Sequence, residues 1–559
     1  MIRLLTLLLL LLAIGTGGFL LITPPVSDIE LIDYFPENTL IFVEWNHTAQ
    51  AVGQERLKRS EKTIEPTTWC RFLLQAKGED ALTTEICRLI STSDDFAHHP
   101  AVSSLLENGT VFALLPDFAG QSNFSLFRQW MMAVRVNDDV SEQWIEELFG
   151  RIRSRQSIEY QGEVVSHLVV DDGQDFFYWR HQNVVLVACE QELIRRSIDQ
   201  NFQRMIRVTT SLSMNTAYLR LRRLLNKDRA DIFCYIDLDG LVRLVPLVQK
   251  IETESGGLLP RHIAFSYRGD AGSNWLGISA LASQESVSAF IARHRLSPPV
   301  RQPTMDLMSQ EAELALWTNW FKAKYLWDVA SQRAGDDAAN LLSLVGQHLS
   351  GVTGKSMDDF FDIFGGEFGV MITEQQVERQ SPRFFGGLLV AVHDRPAMAA
   401  MVEQMMAGLQ VVTVKSGNGM EIASILLAGG LLQPAYALMD HHFILADSVT
   451  LVELVQRNLM YDGAGDGRTG VPDKMDEQKN VAVFLRVGKM AERLTPLLTL
   501  LAEETGEWNR IVSREVRHFI REIGLPLLAG LRNVSTGWLR GYVADDTFFM
   551  ELEYTPRLD

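Results

Sequence analysis

The sequence predicts an α+β fold, built as two homologous tandem halves that follow an N-terminal transmembrane helix. Three observations predict this fold: an uncharged apolar run at the N-terminus, landmarks that occur twice in the same order, and apolar strand-like runs alternating with amphipathic segments. Each half is expected to be a mainly antiparallel or mixed sheet covered by amphipathic helices. The predicted divisions are an anchor and linker at 1–27, one repeat at 28–298 and a second at 299–559.

The composition is that of a folded, acidic protein. Hydrophobic residues make up 47% and charged residues 22% of the 559 positions, which supplies enough apolar material for packed cores and argues against disorder. Acidic residues outnumber basic ones by 70 to 52, which gives a formal charge of −18. Such a chain repels phosphate backbones, so no nucleic-acid partner is expected.

The first element is the segment Leu4–Ile22, which contains no charged residue. As a helix it extends for about 28 Å, close to the thickness of the hydrocarbon core of a bilayer. Arg3 precedes it and acidic residues follow it, a bias that keeps the N-terminus in the cytoplasm. The sequence therefore predicts a single-pass inner-membrane protein. Leu4–Ile22 spans the membrane, and the bulk of the chain lies in the periplasm.

A cleaved signal peptide is the alternative for this segment. Leu4–Leu12 would form its apolar region, and Ala13–Gly15 places small residues at the cleavage positions. Both alternatives export the rest of the chain. Pro24 and Pro25 then end the helix and begin a short extended linker.

The four cysteines suit an oxidising compartment. Cys70 and Cys87 lie in a polar stretch and are the disulfide candidate. Cys189 and Cys234 lie in strand-like apolar runs, where buried, reduced thiols are expected. The sequence contains no Cys-x-x-Cys pair, so it offers no zinc knuckle or thioredoxin-type site.

The clearest internal repeat has an offset of 250 residues. Arg243–Leu247 matches Arg493–Leu497, and six of the fourteen positions from 243 to 256 are identical to their partners. Each match follows an apolar strand and begins a helix. Because proline is tolerated early in a helix, Pro246 and Pro496 are expected in a first turn, with the neighbouring leucines facing the core.

Other landmarks recur in the same order, and a proline-rich joint lies between the two sets. Ser297-Pro298-Pro299 and Pro303 mark this joint. In chain order, the paired landmarks are Thr39–Trp45 with Glu313–Trp317, Gly109–Leu114 with Glu367–Ile372, Trp130–Val136 with Leu388–Val392, Val184–Ala188 with His442–Ala446, and His262–Tyr267 with Gly537–Tyr542.

Three segments of the first half carry a family resemblance. They are Phe35–Val43, with its Pro-Glu-Asn-Thr opening, the Tyr160-Gln161-Gly162 element, and Glu192-Leu193-Ile194 after a strand. They resemble a bacterial family of membrane-anchored extracytoplasmic proteins known as a domain of unknown function, which implies two divergent copies here. The second copy departs at Ser309-Gln310-Glu311, which lacks the proline. The resemblance implies no catalytic residues.

Two loops resemble nucleotide or cation sites but lack necessary residues. Gly351–Ser356 resembles the end of a phosphate loop, but Leu349 stands where the motif needs glycine, so a helix-ending turn with Ser356 capping the next helix is expected. Asp462–Gly467 with Asp473 resembles a calcium loop, but Ala464 removes one ligand. A flexible acidic loop is the expected structure.

Three further groups of residues have a structural explanation that is preferred to a functional one. The pairs His98-His99 and His441-His442 point to opposite faces of a strand, so neither pair can bind one metal alone. Met398, Met401 and Met405 follow one helical face, which favours core packing over an apolar ligand or copper. Asp237 and Asp239 are expected to be a helix cap.

These patterns predict no catalytic, cofactor-binding or metal-binding residue. The first hypothesis is a non-enzymatic, membrane-anchored scaffold or interaction protein of the bacterial envelope, with envelope proteins as partners. A carrier or chaperone for a lipid or other hydrophobic ligand is the alternative, motivated by the methionine-rich and apolar elements. A second alternative is an extracytoplasmic hydrolase whose site is assembled from distant residues.

Overall fold

The structure is a computed structural model, and it describes twenty-one segments of the chain. The described residues are 30–46, 109–116, 129–136, 145–146, 150–171, 173–205, 211–226, 230–255, 259–269, 273–294, 297–300, 312–320, 324, 327–328, 331, 336–375, 383–415, 421–427, 433–461, 479–502 and 514–557. The predicted anchor Leu4–Ile22, the cysteines Cys70 and Cys87, His98-His99 and the acidic loop at 462–473 lie outside them.

The described residues form twenty strands. In chain order they are β1 (Ile41–Trp45), β2 (Thr110–Leu114), β3 (Trp130–Arg135), β4 (Ile152–Tyr160), β5 (Glu163–Val170), β6 (Asp175–His181), β7 (Val184–Ala188), β8 (Ile232–Asp237), β9 (His262–Gly269), β10 (Asn274–Leu281), β11 (Ala312–Thr318), β12 (Phe364–Gln375), β13 (Arg383–Val392), β14 (Val411–Lys415), β15 (Glu421–Ile425), β16 (Ala435–Leu438), β17 (His442–Ala446), β18 (Val481–Leu485), β19 (Val534–Ala544) and β20 (Thr547–Pro556).

Helices alternate with these strands, as expected for an α+β protein. In chain order they are α1 (Gln191–Met205), α2 (Thr216–Leu224), α3 (Leu238–Leu244), α4 (Pro246–Ser255), α5 (Gln284–His294), α6 (Asp336–Thr353), α7 (Met357–Phe361), α8 (Arg395–Met406), α9 (Val449–Tyr461), α10 (Val487–Ala502), α11 (Arg514–Phe519) and α12 (Leu525–Leu531). A π-helical turn, Ile520–Gly524, joins α11 to α12.

The chain divides into two compact units. Unit 1 comprises Met1–His47, Pro100–Arg220 and Cys234–Pro246, and unit 2 comprises Thr48–His99, Leu221–Phe233 and Leu247–Asp559. The predicted boundary at 298/299 falls inside unit 2, where β10 pairs with β20 over its whole length. Ser297 and Pro298 of the predicted linker accept hydrogen bonds there from the side-chain amides of Asn480 and Asn319, at 3.0 and 2.8 Å.

Unit 1 contains an antiparallel sheet with the strand order β4-β5-β6-β7-β3-β2-β1. β8 pairs with β1 at the other side. The central strands β3 and β7 are almost wholly buried, because nearly every residue in them is apolar. α1 is held beside the sheet by Ser197, whose hydroxyl donates to the carbonyl of Tyr34 at 2.8 Å.

Unit 2 contains a longer antiparallel arrangement. Its strand order is β9-β10-β20-β19-β18-β11-β12-β13-β17-β16-β15-β14. Its largest core cluster includes Trp317 and Ala482 on the central strands, with Leu451 and Val452 of α9 packed against them. The predicted amphipathic pattern of α9 is therefore confirmed.

The two units use the same pairing order. The strand order in unit 1 is β4-β5-β6-β7-β3-β2-β1. Adding ten to each strand number gives β14-β15-β16-β17-β13-β12-β11, which is the strand order of that part of unit 2. Four of the recurring sequence landmarks lie on equivalent strands of this order, namely β1 with β11, β2 with β12, β3 with β13, and β7 with β17.

Two local expectations were wrong. Pro496 lies in the interior of α10 instead of its first turn, and Leu494 and Leu497 are 37% and 50% exposed instead of facing the core. Pro246 does begin a helix, as predicted. Among the described residues, no helix has the length and apolar character needed to cross a membrane.

Candidate functional site

The candidate site lies at one end of the strand order of unit 2. In the part of the chain that the structure describes, β14 pairs with β15 alone, so its other side is an edge. The strand reads Val-Val-Thr-Val-Lys, with Val412 44% exposed. Its first four residues are uncharged and β-branched, with Lys415 at the end of the strand, and an exposed edge of this kind is a template for pairing with another chain.

The corresponding edge strand of unit 1 has the opposite character. Of the described strands, only β5 pairs with β4, so β4 is also an edge. Unlike β14, it carries three charged residues along its exposed length, Arg153, Arg155 and Glu159. Arg153 Nε lies 2.8 Å from the carboxylate of Asp171. Charged side chains of this kind discourage strand addition, so β4 is a protected edge and β14 is not.

An apolar groove adjoins the β14 edge. It has a volume of about 450 Å³ and runs between α8, the turn after it, and the strands β14 and β16. Leu409 and Met405 are 46% and 38% exposed beside it. Residues lining the groove are Ala399, Val402, Glu403, Met406, Leu409, Val411, Tyr436 and Leu438. Burial raises the pKa of the Tyr436 hydroxyl above its ordinary value, so the ring presents a neutral wall.

Helix α8 positions the methionines of this site. The Asp394 carboxylate caps its N-terminus by accepting a hydrogen bond from the Ala397 amide at 2.9 Å. Met398 and Met401 are buried in a cluster with Phe443, which confirms core packing for this part of the stripe. Met405 and Met406 continue the stripe to the groove, where flexible thioethers adapt to different apolar surfaces.

One segment that carries the family resemblance lines a polar groove in unit 1 through Pro36, and a second, Tyr160-Gln161-Gly162, bonds to a residue that lines the groove. The Asp199 carboxylate of α1 accepts hydrogen bonds from the Tyr160 hydroxyl at 3.0 Å and the Gln161 amide at 2.7 Å. The groove, of about 560 Å³, is also lined by Pro36 and Asp237. Asp237 caps α3 by accepting from the Gly240 amide at 3.1 Å, as the sequence predicted. These carboxylates therefore hold turns and a helix end in place.

A second polar cavity, of about 430 Å³, lies on the β9-β10-β20-β19 face of unit 2. Arg540 and the Glu551 carboxylate form an ion pair at 2.7 Å, and the indole of Trp275 donates to Glu551 at 3.1 Å. The Trp275 ring occupies the space beside Gly277, where a β-carbon would lie 2.3 Å from it. The charges here bind one another and fix the aromatic ring.

The remaining sequence candidates also have structural roles. α6 ends at Thr353, and the Ser356 hydroxyl caps α7 by accepting from the Asp359 amide at 3.2 Å, which confirms the expected turn. His441 is exposed and His442 is half-buried at the start of β17. Within the described residues, no three His, Cys, Asp or Glu side chains converge in a way that would hold a metal ion.

Cys189 and Cys234 are half-buried thiols, not disulfide partners. Burial raises the pKa of each thiol to about 11, which keeps it protonated and unreactive near neutral pH. The pairing predicted for Cys70 and Cys87 lies outside the described residues and stays a prediction.

Sequence reasoning did not identify the β14 edge. The available signal was the uncharged run Val411–Val414, which follows the exposed Leu409 and differs from the arginine-containing run of β4. Alternation of side chains predicts a strand, but it does not say whether that strand has one neighbour or two. The edge became identifiable only from the pairing order.

Comparisons with known proteins assign no family. No protein-family model matches the chain, and no curated protein matches it. A solved structure described as "Structure of crystal form III of TP0453" covers 49% of this chain and 91% of its own, with 6% identity and a TM-score of 0.22. That similarity is too weak to indicate a shared fold.

Proposed function

We propose that the protein is a non-enzymatic, membrane-anchored interaction protein of the bacterial envelope, and that β14 and the adjoining groove bind a partner protein. The partner supplies an extended segment that pairs with β14 and places an apolar side chain in the groove. Main-chain hydrogen bonds provide the affinity in this mode of recognition, and the groove provides the specificity.

The observation that carries this proposal is the difference between the two edges. β4 is covered with charged residues, whereas β14 exposes Val412 and adjoins exposed Leu409. An exposed edge with four consecutive uncharged β-branched residues is an aggregation hazard for an unpartnered protein, and a partner that covers it removes that hazard.

The repeated pairing order supports an internal duplication. Strand order is the same from β4 to β1 and from β14 to β11, and the landmark sequences fall on equivalent strands. We propose that two copies of one α+β domain gave rise to the chain, and that the second copy lost the charges of its edge and gained the binding role.

The function is tested by affinity purification of the full chain from solubilised membranes. Proteins bound to the natural sequence are compared by mass spectrometry with those bound to Val412→Lys, which places a charge on the edge. The matched control is Val164→Lys, because Val164 is 60% exposed on β5, a strand with neighbours on both sides. Thermal unfolding of all three chains shows whether each is folded.

We expect at least one envelope protein to be bound by the natural chain and by Val164→Lys, and to be lost with Val412→Lys. Identical sets of bound proteins for all three chains would contradict the proposal. A lipid carrier is supported less well, since the groove is an open channel and the apolar cavity between β13 and α9 has a volume of only about 10 Å³.

A further inference from the structure

The helical layer of unit 2, which consists of α10, α11, the π-helical turn and α12, exposes many large apolar side chains. They are Leu494, Leu497, Leu500, Val516, Phe519 and Leu527, each between 37% and 50% exposed. Leu494, Leu497 and Leu500 are spaced three residues apart and so follow one side of α10. A contiguous apolar surface of this kind on a folded protein marks an interaction site.

The layer is packed on its other side, so these side chains are not exposed through fraying. Ala491 and Ala502 of α10 are buried, as are Ile520 and Ile523 of the π-helical turn. Leu498 packs at Gly524, where a β-carbon would lie 3.6 Å from its methyl group. The helices are therefore held to each other along one side and are open on the other.

The exposed side combines uncharged and basic segments. The residues from 494 to 502 and from 523 to 531 contain no charged side chain. Around them, residues 487–502 and 514–533 contain six Lys or Arg and three Glu, a formal charge of +3, and the connecting residues 503–513 contain one Arg and three Glu. Arg514, Arg517 and Arg521 lie on the same short helical run as Val516 and Phe519.

This combination is typical of helices that lie in a lipid interface. Such helices bury an apolar side in the boundary between headgroups and acyl chains, while lysine and arginine bind anionic headgroups. The β14 edge lacks this basic character, having only Lys415 within the strand. The two surfaces therefore suit different partners.

The length of the predicted linker is consistent with a membrane close to the folded part. Eight residues lie between Ile22, the end of the predicted anchor, and Leu31, the start of the first described turn, so nine Cα–Cα steps join them. An extended chain of that length reaches about 30 Å. A predicted anchor with so short a tether keeps Leu31, in unit 1, within about 30 Å of the bilayer surface.

We propose that the α10–α12 layer docks onto the surface of an anionic lipid bilayer. The exposed leucines and Phe519 enter the interface, and the half-exposed Arg517 and the exposed Arg521 bind the headgroups. This proposal concerns a surface different from β14 and does not depend on the partner proposed there.

The test uses the full chain with Leu497→Cys, labelled with an environment-sensitive fluorophore and mixed with vesicles that carry brominated acyl chains. Leu344→Cys is the matched control, because Leu344 lies on α6 of the same unit and is 63% exposed. The natural chain, labelled in the same way, gives the background from the native cysteines. Vesicles of phosphatidylcholine alone are compared with vesicles that also contain phosphatidylglycerol, and bound protein is isolated by flotation.

We expect quenching of at least about twofold at position 497 in phosphatidylglycerol vesicles, as for a side chain within the acyl boundary. It should fall at high salt and in phosphatidylcholine alone, and position 344 should stay unquenched. Absence of flotation, no quenching at 497, or equal quenching at 344 would overturn the proposal. Equal quenching at 497 in both lipids would overturn the role of the arginines.

Discussion

Pro246 is the first residue of α4, whereas Pro496, 250 positions later, is the tenth residue of the uninterrupted helix α10. Within α10, Pro496 cannot donate the bond that the Glu492 carbonyl would accept. Two threonine hydroxyls nearby donate to other carbonyls of the helix, Thr495 to Ala491 at 2.7 Å and Thr499 to Thr495 at 2.8 Å. The matching segments therefore differ in structure, because Arg243–Leu247 spans the junction of two helices and Arg493–Leu497 lies within one helix.

This difference predicts opposite effects of removing the two prolines. Pro496→Ala should raise the free energy of unfolding by about 1–3 kcal/mol, because it restores a helical hydrogen bond and removes a steric clash. Pro246→Ala should either change the free energy of unfolding by less than about 1 kcal/mol or lower it, because proline suits a first helical position. Urea unfolding of the full chain measures both. A loss of stability in Pro496→Ala would contradict this explanation.

The leucines of the repeat should contribute little to stability, in contrast to those of the core. Leu497→Ala should lower the free energy of unfolding by less than about 1 kcal/mol, because the side chain is half exposed. Leu451→Ala should lower it by about 2–5 kcal/mol, because Leu451 is fully buried in the core of unit 2. Denaturant unfolding compares the two variants. Equal losses of unfolding free energy in the two variants would mean that other residues of the chain bury Leu497, and would contradict its exposure.

The fold could be predicted in part. Apolar alternation located β1, β2, β3, β7 and their counterparts, and capping residues located the starts of α3 and α7. The exposure of Leu494 and Leu497 could not be predicted, because their spacing shows that they share a helix face but does not show whether other residues cover that face. The β14 edge depends on pairings between distant segments, which the local pattern does not encode.

Burial of His442 predicts a dependence of stability on pH. Burial lowers the pKa of its imidazole below the ordinary value of 6.5. The unfolded chain therefore binds a proton at this residue more readily than the folded chain, so the contribution to stability is present above about pH 6.5 and is lost as the pH falls below it. His442→Gln should lose less stability between pH 7 and pH 5 than the natural chain does.

The measurement is urea unfolding at a series of pH values. His348→Gln is the control, because His348 is an exposed histidine of the same unit and its removal should keep the natural slope. If His442→Gln showed the same pH slope as the natural chain, burial of this ring would not be the cause.

The cysteines predict a stepwise pattern of alkylation. In the folded protein, the half-buried Cys189 and Cys234 should react slowly at neutral pH, since the pKa of each is about 11. Unfolding without a reductant should expose two thiols, and reduction should expose four, if Cys70 and Cys87 form a disulfide. Mass spectrometry counts the adducts. Four adducts before reduction would rule out the disulfide.

The measurement that tests the proposed function most directly is photocrosslinking in growing cells, with a photoreactive amino acid at position 412. Position 164 is the control, because it is more exposed than position 412 and lies on an interior strand. We predict a covalent adduct between position 412 and an envelope protein, with none at position 164. No adduct at position 412, or the same adduct at both positions, would contradict the account of β14 as the binding edge.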